Sequence, residues 1–366
     1  MRKASGLIDH REDFMKKFEG YTHGVNFGGW LSQCDHTKER YDTFITEDDF
    51  KTVSERGFDH VRIPVDYELI LADYNEFTDV APVIGYGHNL VMTHKYCFND
   101  EGFKYIDFAI KMCRKYDLHM ILDLHRTPGY SFDPFHGEKG FFESDEYQAV
   151  FYAIWIEFAK RFGNNSDMLT FELLNEVTKK EYCDTWNDIA LNCIKNIREI
   201  AKDIQIIIGG YYNNSLEAIK DLCMPYDDKI VYTFHNYEPL LFTHQGAYWI
   251  ETMDTEFRCD YTMPYSKYEE LSEKYLCQAY ASFKQFDQNA TPDESYFEKL
   301  LSEAINVAKE RNVALYCGEY GVIDRADKKE AAKWFHDFHS VMDKYNIGRC
   351  VWNYKEMDFE VSPDFR

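Results

Sequence analysis

Short apolar runs alternate with longer amphipathic stretches along most of the chain. The apolar runs are bounded by polar or turn-forming residues, and several are rich in Val, Ile and Leu, which predicts buried β-strands. The predicted strands are Gly24–Phe27, His60–Pro64, His119–His125, Met168–Asn175, Gln205–Gly209, Ile230–His235, Val313–Glu319 and Gly348–Asn353. Apolar positions at helical spacing predict helices around Glu47–Arg56, Glu101–Tyr116, Glu146–Phe162, Thr185–Lys202, Leu216–Leu222, Glu294–Arg311 and Lys328–Tyr345.

This alternation predicts parallel strands joined by crossover helices. Eight strands in this order predict an α/β fold of the (β/α)8 TIM-barrel type, with the functional site at the carboxyl ends of the strands. An open doubly wound sheet is the alternative fold. It would need a Gly-rich phosphate turn after the first strand, and Gly28-Gly29-Trp30 does not have that pattern. We expect a single catalytic domain over residues 1–366.

Two connections are longer than the loops of this fold require. One, 66–100, follows the second strand, and the other, 236–290, follows the sixth and is expected to form an insertion or subdomain within the barrel. Both leave from the face that carries the chemistry of a barrel, so we expect them to wall a cleft. The chain ends soon after the eighth strand, which predicts a missing or shortened eighth helix. Either the segment before the first strand covers that place, or the chain is truncated.

Charge and composition exclude several classes of function. A formal net charge of −23 argues against nucleic acid and anionic membrane as partners. Ten cysteines are scattered without a C-x-x-C pair, which is typical of reduced thiols and not of a disulfide framework or zinc site. The N-terminus has no apolar signal-peptide segment, and no stretch is long enough to span a bilayer. We therefore expect a cytoplasmic protein or a domain excised from a secreted one; the sequence does not indicate its oligomeric state.

Two glutamates each follow an apolar run that is predicted to be a strand. Glu176 comes directly after 168–175, and Glu319 comes directly after 313–318. A barrel gathers its strand ends at one face, so these two carboxyls can meet there. Two carboxyls across a scissile bond are the minimum equipment for glycoside hydrolysis. Aromatic residues, at 17% of the chain, are also compatible with a cleft in which rings stack on sugars.

Further polar and aromatic residues collect at the predicted strand ends, within a set of short motifs. The motifs are Gly24-Val25-Asn26-Phe27-Gly28-Gly29-Trp30, Val61-Arg62-Ile63-Pro64, Leu122-Asp123-Leu124-His125, Leu174-Asn175-Glu176, His235-Asn236-Tyr237, Gly318-Glu319-Tyr320-Gly321 and Val351-Trp352-Asn353-Tyr354. In their order and spacing they resemble glycoside hydrolase family 5 of clan A. The chain most resembles the clostridial single-domain endoglucanases of that family.

This resemblance implies a retaining endo-β-1,4-glucanase of the cellulase or lichenase type. Glu176 would be the general acid/base, and Glu319 the nucleophile that forms a glycosyl-enzyme. Arg62 would hold Glu319 ionised, and Tyr237 would hydrogen-bond it. His235 would contact the acid/base or its neighbours.

The resemblance also implies residues that bind the sugar. Asn175 would bind the sugar 2-OH, Trp352 would form the floor under the −1 sugar, and His125 would line the same subsite. Asn26 would either support the site or belong to the turn after the first strand. No metal or other cofactor is implied, and the expected partner is a β-glucan polysaccharide or oligosaccharide.

Alternatives remain within the family and outside it. Arg126 stands where many relatives carry a second His or a small residue, so β-mannan, glucomannan or β-1,3-glucan, and exo-action, remain open. A non-catalytic carbohydrate-binding barrel is an alternative of a different class. A metal-dependent barrel hydrolase is another, although the H-x-H pair typical of such sites does not occur in this sequence.

Overall fold

A computed structural model describes residues 15–72, 98–133, 139–277 and 283–361 of the chain. Eight parallel strands close into a barrel in chain order, so the predicted fold and all eight predicted strands are confirmed. The strands are β1 His23–Asn26, β2 His60–Asp66, β3 His119–Arg126, β4 Leu169–Glu172, β5 Gln205–Ile208, β6 Ile230–Asn236, β7 Ala314–Tyr320 and β8 Gly348–Val351.

Helices surround the barrel and connect its strands. They are α1 Lys38–Thr43, α2 Glu47–Glu55, α3 Tyr67–Ile70, α4 Asp100–Lys115, α5 Asp145–Phe162, α6 Cys183–Arg198, α7 Tyr211–Asn214, α8 Leu240–Thr243, α9 Tyr265–Tyr275, α10 Glu294–Arg311 and α11 Lys328–Lys344. Of these, α7 is a single turn whose Tyr212 and Asn213 have left-handed and not α-helical backbone angles. The helix predicted before β6 is a 3-10 helix, Leu216–Asp221. No helix lies between β8 and residue 361, in agreement with the prediction that the eighth helix is missing or shortened. None of the helices described is long and apolar enough to cross a membrane.

Local sequence explains where several of these helices begin and end. The Ser144 hydroxyl accepts a hydrogen bond from the backbone N–H of Tyr147 at 3.3 Å, which caps the start of α5. Asp327 caps α11 in the same way, through the backbone N–H of Lys329 at 2.9 Å. Gly57 follows α2 with φ 84, a left-handed conformation that glycine adopts without strain. Such signals set where the connections between helices and strands begin and end.

The segment before β1 packs across the end of the barrel where the strands begin. Tyr21 donates a hydrogen bond to the backbone oxygen of Met168 at 3.0 Å and stacks on Phe18, with ring centroids 4.1 Å apart. Phe18 packs edge-on against Tyr316 of β7. Because this end is filled by side chains, the site lies at the opposite end. Whether the segment also takes the place of the eighth helix stays a prediction.

The structure describes the two long connections to different extents. After β2 it shows α3 and a bridge between Leu71 and Phe98; residues 73–97 of the predicted 66–100 insertion lie outside the described residues. The connection after β6 contains α8, α9 and a 3-10 helix, Phe283–Gln285. It is anchored on α11, where Tyr261 donates a hydrogen bond to Asp337 at 3.1 Å. That 236–290 forms a subdomain of its own stays a prediction.

Candidate active site

Glu176 and Glu319 meet at the carboxyl ends of the strands. Glu319 lies within β7, and Glu176 lies four residues after the end of β4. One carboxylate oxygen of Glu176 and one of Glu319 lie within 4.8 Å of each other. Retaining glycosidases hold their carboxyls about 5 Å apart, whereas inverting enzymes need about 6.5–9.5 Å to fit a water between carboxyl and sugar. The observed spacing fits direct attack by one carboxylate on the sugar.

Arg62 forms hydrogen bonds to Glu319 and to several side chains around it. Its side chain is fully buried, and its Nη1 donates to Glu319 Oε1 at 2.8 Å and to Asn26 Oδ1 at 3.0 Å. Its Nε and Nη2 donate to the two carboxylate oxygens of Glu172 at 2.7 and 3.1 Å. Nη2 also donates to Asn175 Oδ1 at 2.9 Å. One guanidinium therefore fixes side chains from β1, from β7 and from the end of β4.

Glu172 is a member of this site that the sequence analysis missed. It is the last residue of β4, is fully buried and forms a bidentate ion pair with Arg62. Burial raises the pKa of Glu172, while Arg62 lowers it. The available signal was a lone charged residue inside an apolar strand, since such a charge is expensive to bury without a partner.

Asp123 and His125 form a second buried pair on β3. Asp123 Oδ2 lies 3.0 Å from Arg62 Nη2 and 2.6 Å from His125 Nδ1, so the carboxyl orients the imidazole. Burial raises the pKa of Asp123 to about 7 and lowers the pKa of His125 to about 4. The His125 ring lies parallel to Trp352, with centroids 5.9 Å apart. His125 is therefore a neutral, fixed ring beside Trp352.

The second oxygen of Glu319 also has a donor. The Tyr237 hydroxyl donates to Glu319 Oε2 at 3.0 Å. Burial raises the pKa of Glu319; His235 and Arg62 lower it, and the nearby Glu176 raises it again. Both Glu319 oxygens therefore accept hydrogen bonds, an arrangement suited to the ionised carboxylate.

Glu176 is held by neutral groups. His235 Nδ1 lies 2.7 Å from Glu176 Oε1, and Asn213 Nδ2 donates to Glu176 Oε2 at 2.9 Å. Asn214 Nδ2 lies 3.3 Å from His235 Nε2, so the ring proton of neutral His235 is placed on Nδ1, facing Glu176. Burial raises the pKa of Glu176 and lowers the pKa of His235 to about 4. Glu176 thus combines a raised pKa with uncharged partners.

The backbone around Glu176 is unusual. Glu176 has φ 42, in the left-handed region that costs a non-glycine residue free energy. Its carbonyl oxygen accepts a hydrogen bond from the Tyr130 hydroxyl at 2.8 Å, and the same hydroxyl accepts from the backbone N–H of Thr178 at 2.8 Å. Tyr130 thereby holds this strained turn from a different loop.

Asn213 and Asn214 are two further site residues that the sequence analysis missed. They follow β5 in a left-handed run with Tyr212, at φ 52 for Tyr212, 58 for Asn213 and 55 for Asn214. Asn adopts this conformation more readily than most residues, so an Asn pair after Gly209-Gly210 was a signal for such a turn. The sequence alone did not show that the turn reaches Glu176.

The remaining predicted residues take different positions relative to the cleft. Asn175 binds Arg62 through Oδ1, and its buried Nδ2 has no hydrogen-bond partner in the described part of the chain. Trp352 is 7% exposed. Asn26 has no exposed surface, and its Nδ2 donates to the backbone oxygen of Gly318 at 3.0 Å. The structure therefore places Asn26 behind Arg62, where it supports the site.

Arg126 is also buried, next to this site. It is 3% exposed, and its Nη2 contacts Asp66 at 3.2 Å and Glu68. His36 Nε2 lies 3.3 Å from the same Asp66 oxygen.

Within the described residues, three groups have ligand atoms close enough to share a cation: Glu176, His235 and Glu319; His36, Asp66 and Glu68; and Glu294, His336 and Asp337. In the first two, Arg62 and Arg126 already supply positive charge to the carboxylates.

Comparison with known proteins identifies the family. The sequence model of Cellulase (glycosyl hydrolase family 5) matches residues 19–358. The chain belongs to this family. Cellodextrinase A of Ruminococcus flavefaciens is 38% identical over 335 residues, which cover 92% of this chain and 86% of that protein. Endoglucanase C of Acetivibrio thermocellus is 40% identical over 340 residues, which cover 92% of each protein.

Solved structures show the same fold. A hyperthermophilic endo-beta-1,4-glucanase in complex with substrate is similar with a TM-score of 0.68 and 23% identity, over 93% of this chain and 91% of that one. The cellulose synthase subunit Z of Clostridioides difficile is similar with a TM-score of 0.70 and 23% identity, over 93% and 94%. The family and the fold of this glycoside hydrolase are therefore those that its sequence predicted.

Proposed function

We propose that this family 5 enzyme hydrolyses internal β-1,4-glucosidic bonds with retention of configuration. Glu319 is the nucleophile in this proposal, and Glu176 is the general acid/base. The observation that carries it is the pair of carboxylate oxygens within 4.8 Å of each other, each carboxyl with its own set of partners.

In the first step Glu319 attacks the anomeric carbon of the −1 sugar. The bond from that carbon to the glycosidic oxygen breaks, and Glu176 transfers its proton to the departing oxygen. In the second step Glu176 takes a proton from water, the water oxygen attacks the anomeric carbon, and the Glu319 carboxylate is released. Charge is balanced in each step, because Glu176 alternates between acid and base.

The partners of the two carboxyls support this division of labour. Glu319 accepts a charge-assisted bond from Arg62 and a second bond from Tyr237, so it loses its proton more easily than Glu176 does. Glu176 has only neutral partners and sits beside the charge of Glu319, which favours its protonated form. The state with Glu319 ionised and Glu176 protonated is the one that the first step requires.

The surrounding residues supply sugar contacts. Asn175 Nδ2, which has no hydrogen-bond partner among the described residues, can donate to the 2-OH of the −1 sugar, a contact that strengthens as the anomeric carbon becomes oxocarbenium-like. Trp352, stacked beside His125, can form the floor of the subsite. These roles rest on geometry and on the family resemblance.

The substrate proposal rests on the relatives. One of them is named Cellodextrinase A and another Endoglucanase C, and both align over most of their own length. β-1,4-Glucan is therefore the proposed polymer. Preference for short β-1,4-gluco-oligosaccharides is a second candidate, supported by the similarity to Cellodextrinase A.

Two experiments test these proposals. Glu176→Gln and Glu319→Gln should each abolish most hydrolysis of carboxymethylcellulose while leaving the unfolding transition in place; near-normal turnover in either variant would refute the mechanism. Reducing-sugar release from carboxymethylcellulose, lichenan, laminarin and glucomannan, with product sizes, tests the substrate. A rapid fall in viscosity indicates endo-action, whereas activity on cellodextrins alone indicates the second candidate.

A further inference from the structure

The loop after β5 reaches Glu176 through both its backbone and a side chain. The Asn213 N–H donates to the backbone oxygen of Val177 at 3.0 Å, and Asn213 Nδ2 donates to Glu176 Oε2 at 2.9 Å. The left-handed run from Tyr212 to Asn214 makes this possible, because it turns Asn213 towards β4 while Asn214 stays buried. Asn213 itself is exposed, so its amide lies at the solvent side of Glu176.

The two oxygens of Glu176 have chemically different partners. Oε1 faces His235 Nδ1. In the neutral ring Nε2 accepts from Asn214 Nδ2, so Nδ1 carries the proton and acts as a donor, not as an acceptor. Oε2 faces a primary amide, which donates through Nδ2 and accepts through Oδ1 after rotation. His235 can donate to Oε1 in both protonation states of Glu176, so the exchanged proton belongs on Oε2, where the Asn213 amide can bind either the carboxylate or the carboxylic acid.

We propose that Asn213 is a positioning residue that binds Oε2, the oxygen of Glu176 that exchanges the proton, and stabilises the ionised carboxylate between turnovers. This inference rests on the proposed role of Glu176 as acid/base. With Glu176 ionised, Asn213 Nδ2 donates to Oε2. With Glu176 protonated on Oε2, the O–H is free to donate to Asn213 Oδ1 or to the departing glycosidic oxygen.

The pH dependence of Glu176 has other contributors, none of which duplicates Asn213. Burial raises the pKa of Glu176, and the Asn213 donor lowers it, as do His125 and Arg62. The titratable or charged groups that face Glu176 are Arg62 on β2, Asp123 and His125 on β3, Tyr130 in the following loop, His235 on β6, Tyr237 directly after β6, and Glu319 on β7. Asn213 comes from the β5 loop and carries no charge, so it can be replaced without adding or removing a titrating group.

The test is the pH profile of kcat/KM for Asn213→Gly, since glycine keeps the left-handed backbone and removes only the amide. Loss of a donor to the carboxylate raises its pKa, so the alkaline limb should move up by about half to one pH unit. Asn213→Asp, of nearly the same shape but with a second carboxylate, should move it further. Asn312→Gly is the matched control: Asn312 is also left-handed, at φ 51, but lies at the end of α10 before β7 begins, and its profile should equal that of the parent.

A second substrate separates proton donation from other effects. A 2,4-dinitrophenyl cellobioside has a leaving group that departs without a proton, so the shift of the alkaline limb of kcat/KM should disappear with it. A profile of Asn213→Gly that superimposes on the parent, or that moves to lower pH, would overturn the inference. The same would follow from an equal shift with both substrates. Glu176→Gln is measured alongside: if it is fully active, the proposed function itself fails, whereas an inactive Glu176→Gln with an unshifted Asn213→Gly removes only this inference.

Discussion

Arg62 and Glu172 form a bidentate ion pair with both side chains fully buried, and the same guanidinium binds Glu319. Arg62 therefore binds the proposed nucleophile, Glu319, and is itself bound by Glu172, a carboxylate with no exposed surface. The pair lies at the centre of the site, and its disruption should affect both stability and turnover.

Glu172→Ala tests that coupling. It leaves Arg62 buried without its bidentate partner, and we expect the free energy of unfolding to fall by about 3–5 kcal/mol. Glu172→Gln keeps the shape and one acceptor oxygen, so it should lose less. Urea unfolding measures both variants, and kcat on a soluble glucan shows whether Arg62 still orients Glu319. Equal stability of Glu172→Ala and the parent would contradict the structure.

Tyr237→Phe should shift the acid limb of the pH profile. The Tyr237 hydroxyl donates to Glu319 Oε2, which favours the ionised carboxylate, so its removal raises the pKa of Glu319. We expect the acid limb of kcat/KM to move to higher pH, with a lower maximum. Tyr105→Phe, which removes a hydroxyl that donates to Asp42 at the protein surface, is the control and should leave the limb in place. An unmoved acid limb in Tyr237→Phe would be evidence against Glu319 as the titrating group.

Arg126→Ala should mainly reduce stability. Arg126 is 3% exposed and contacts Asp66, which is fully buried, and Glu68. Its removal leaves buried negative charge, and we expect a loss of about 3–5 kcal/mol in unfolding free energy. Arg161→Ala removes a more exposed arginine that pairs with Asp100 and should cost about 1 kcal/mol or less. Similar losses in the two variants would argue against the buried network.

His244 should contribute to acid sensitivity. It packs among Tyr237, Trp249 and Phe359, and burial lowers its pKa from 6.5 to about 3. The unfolded chain therefore binds a proton below pH 6.5 that the folded protein does not, so this contribution to stability is lost as pH falls towards 3. In His244→Asn the stability lost between pH 7 and pH 4.5 should be smaller than in the parent. Urea unfolding of both proteins at pH 7 and pH 4.5 measures the difference.

The fold could be predicted because strand and helix periods are local properties of the sequence. Each buried parallel strand is an apolar run whatever its neighbours are, and eight such runs in alternation leave few architectures. The carboxyl pair could be placed for the same reason, since Glu176 and Glu319 directly follow such runs. The helix before β6 was less well predicted: 216–221 is short, and periodicity does not separate a 3-10 helix from an α-helix.

The parts of the site that were missed depend on contacts between distant segments. Asn213 reaches Glu176 because Tyr212, Asn213 and Asn214 are all left-handed. The sequence pattern does not predict the direction in which such a turn points. Glu172 belongs to the site because it binds Arg62, which is 110 residues away along the chain. Arg126 was expected to bear on substrate preference, whereas the structure shows it buried against Asp66 and Glu68.

The left-handed backbone of Glu176 places activity and stability in opposition at one position. A side chain at φ 42 costs folding free energy of about 1–2 kcal/mol, and glycine would avoid that cost. The proposed acid/base role of Glu176 accounts for a glutamate at a position where glycine would be less strained. In a lineage that kept the barrel to bind glucan without cleaving it, replacement of this glutamate by glycine or asparagine would be favoured by stability alone. On the proposed role, an active barrel needs glutamate at this position, and glycine or asparagine here would indicate a barrel that has lost catalysis.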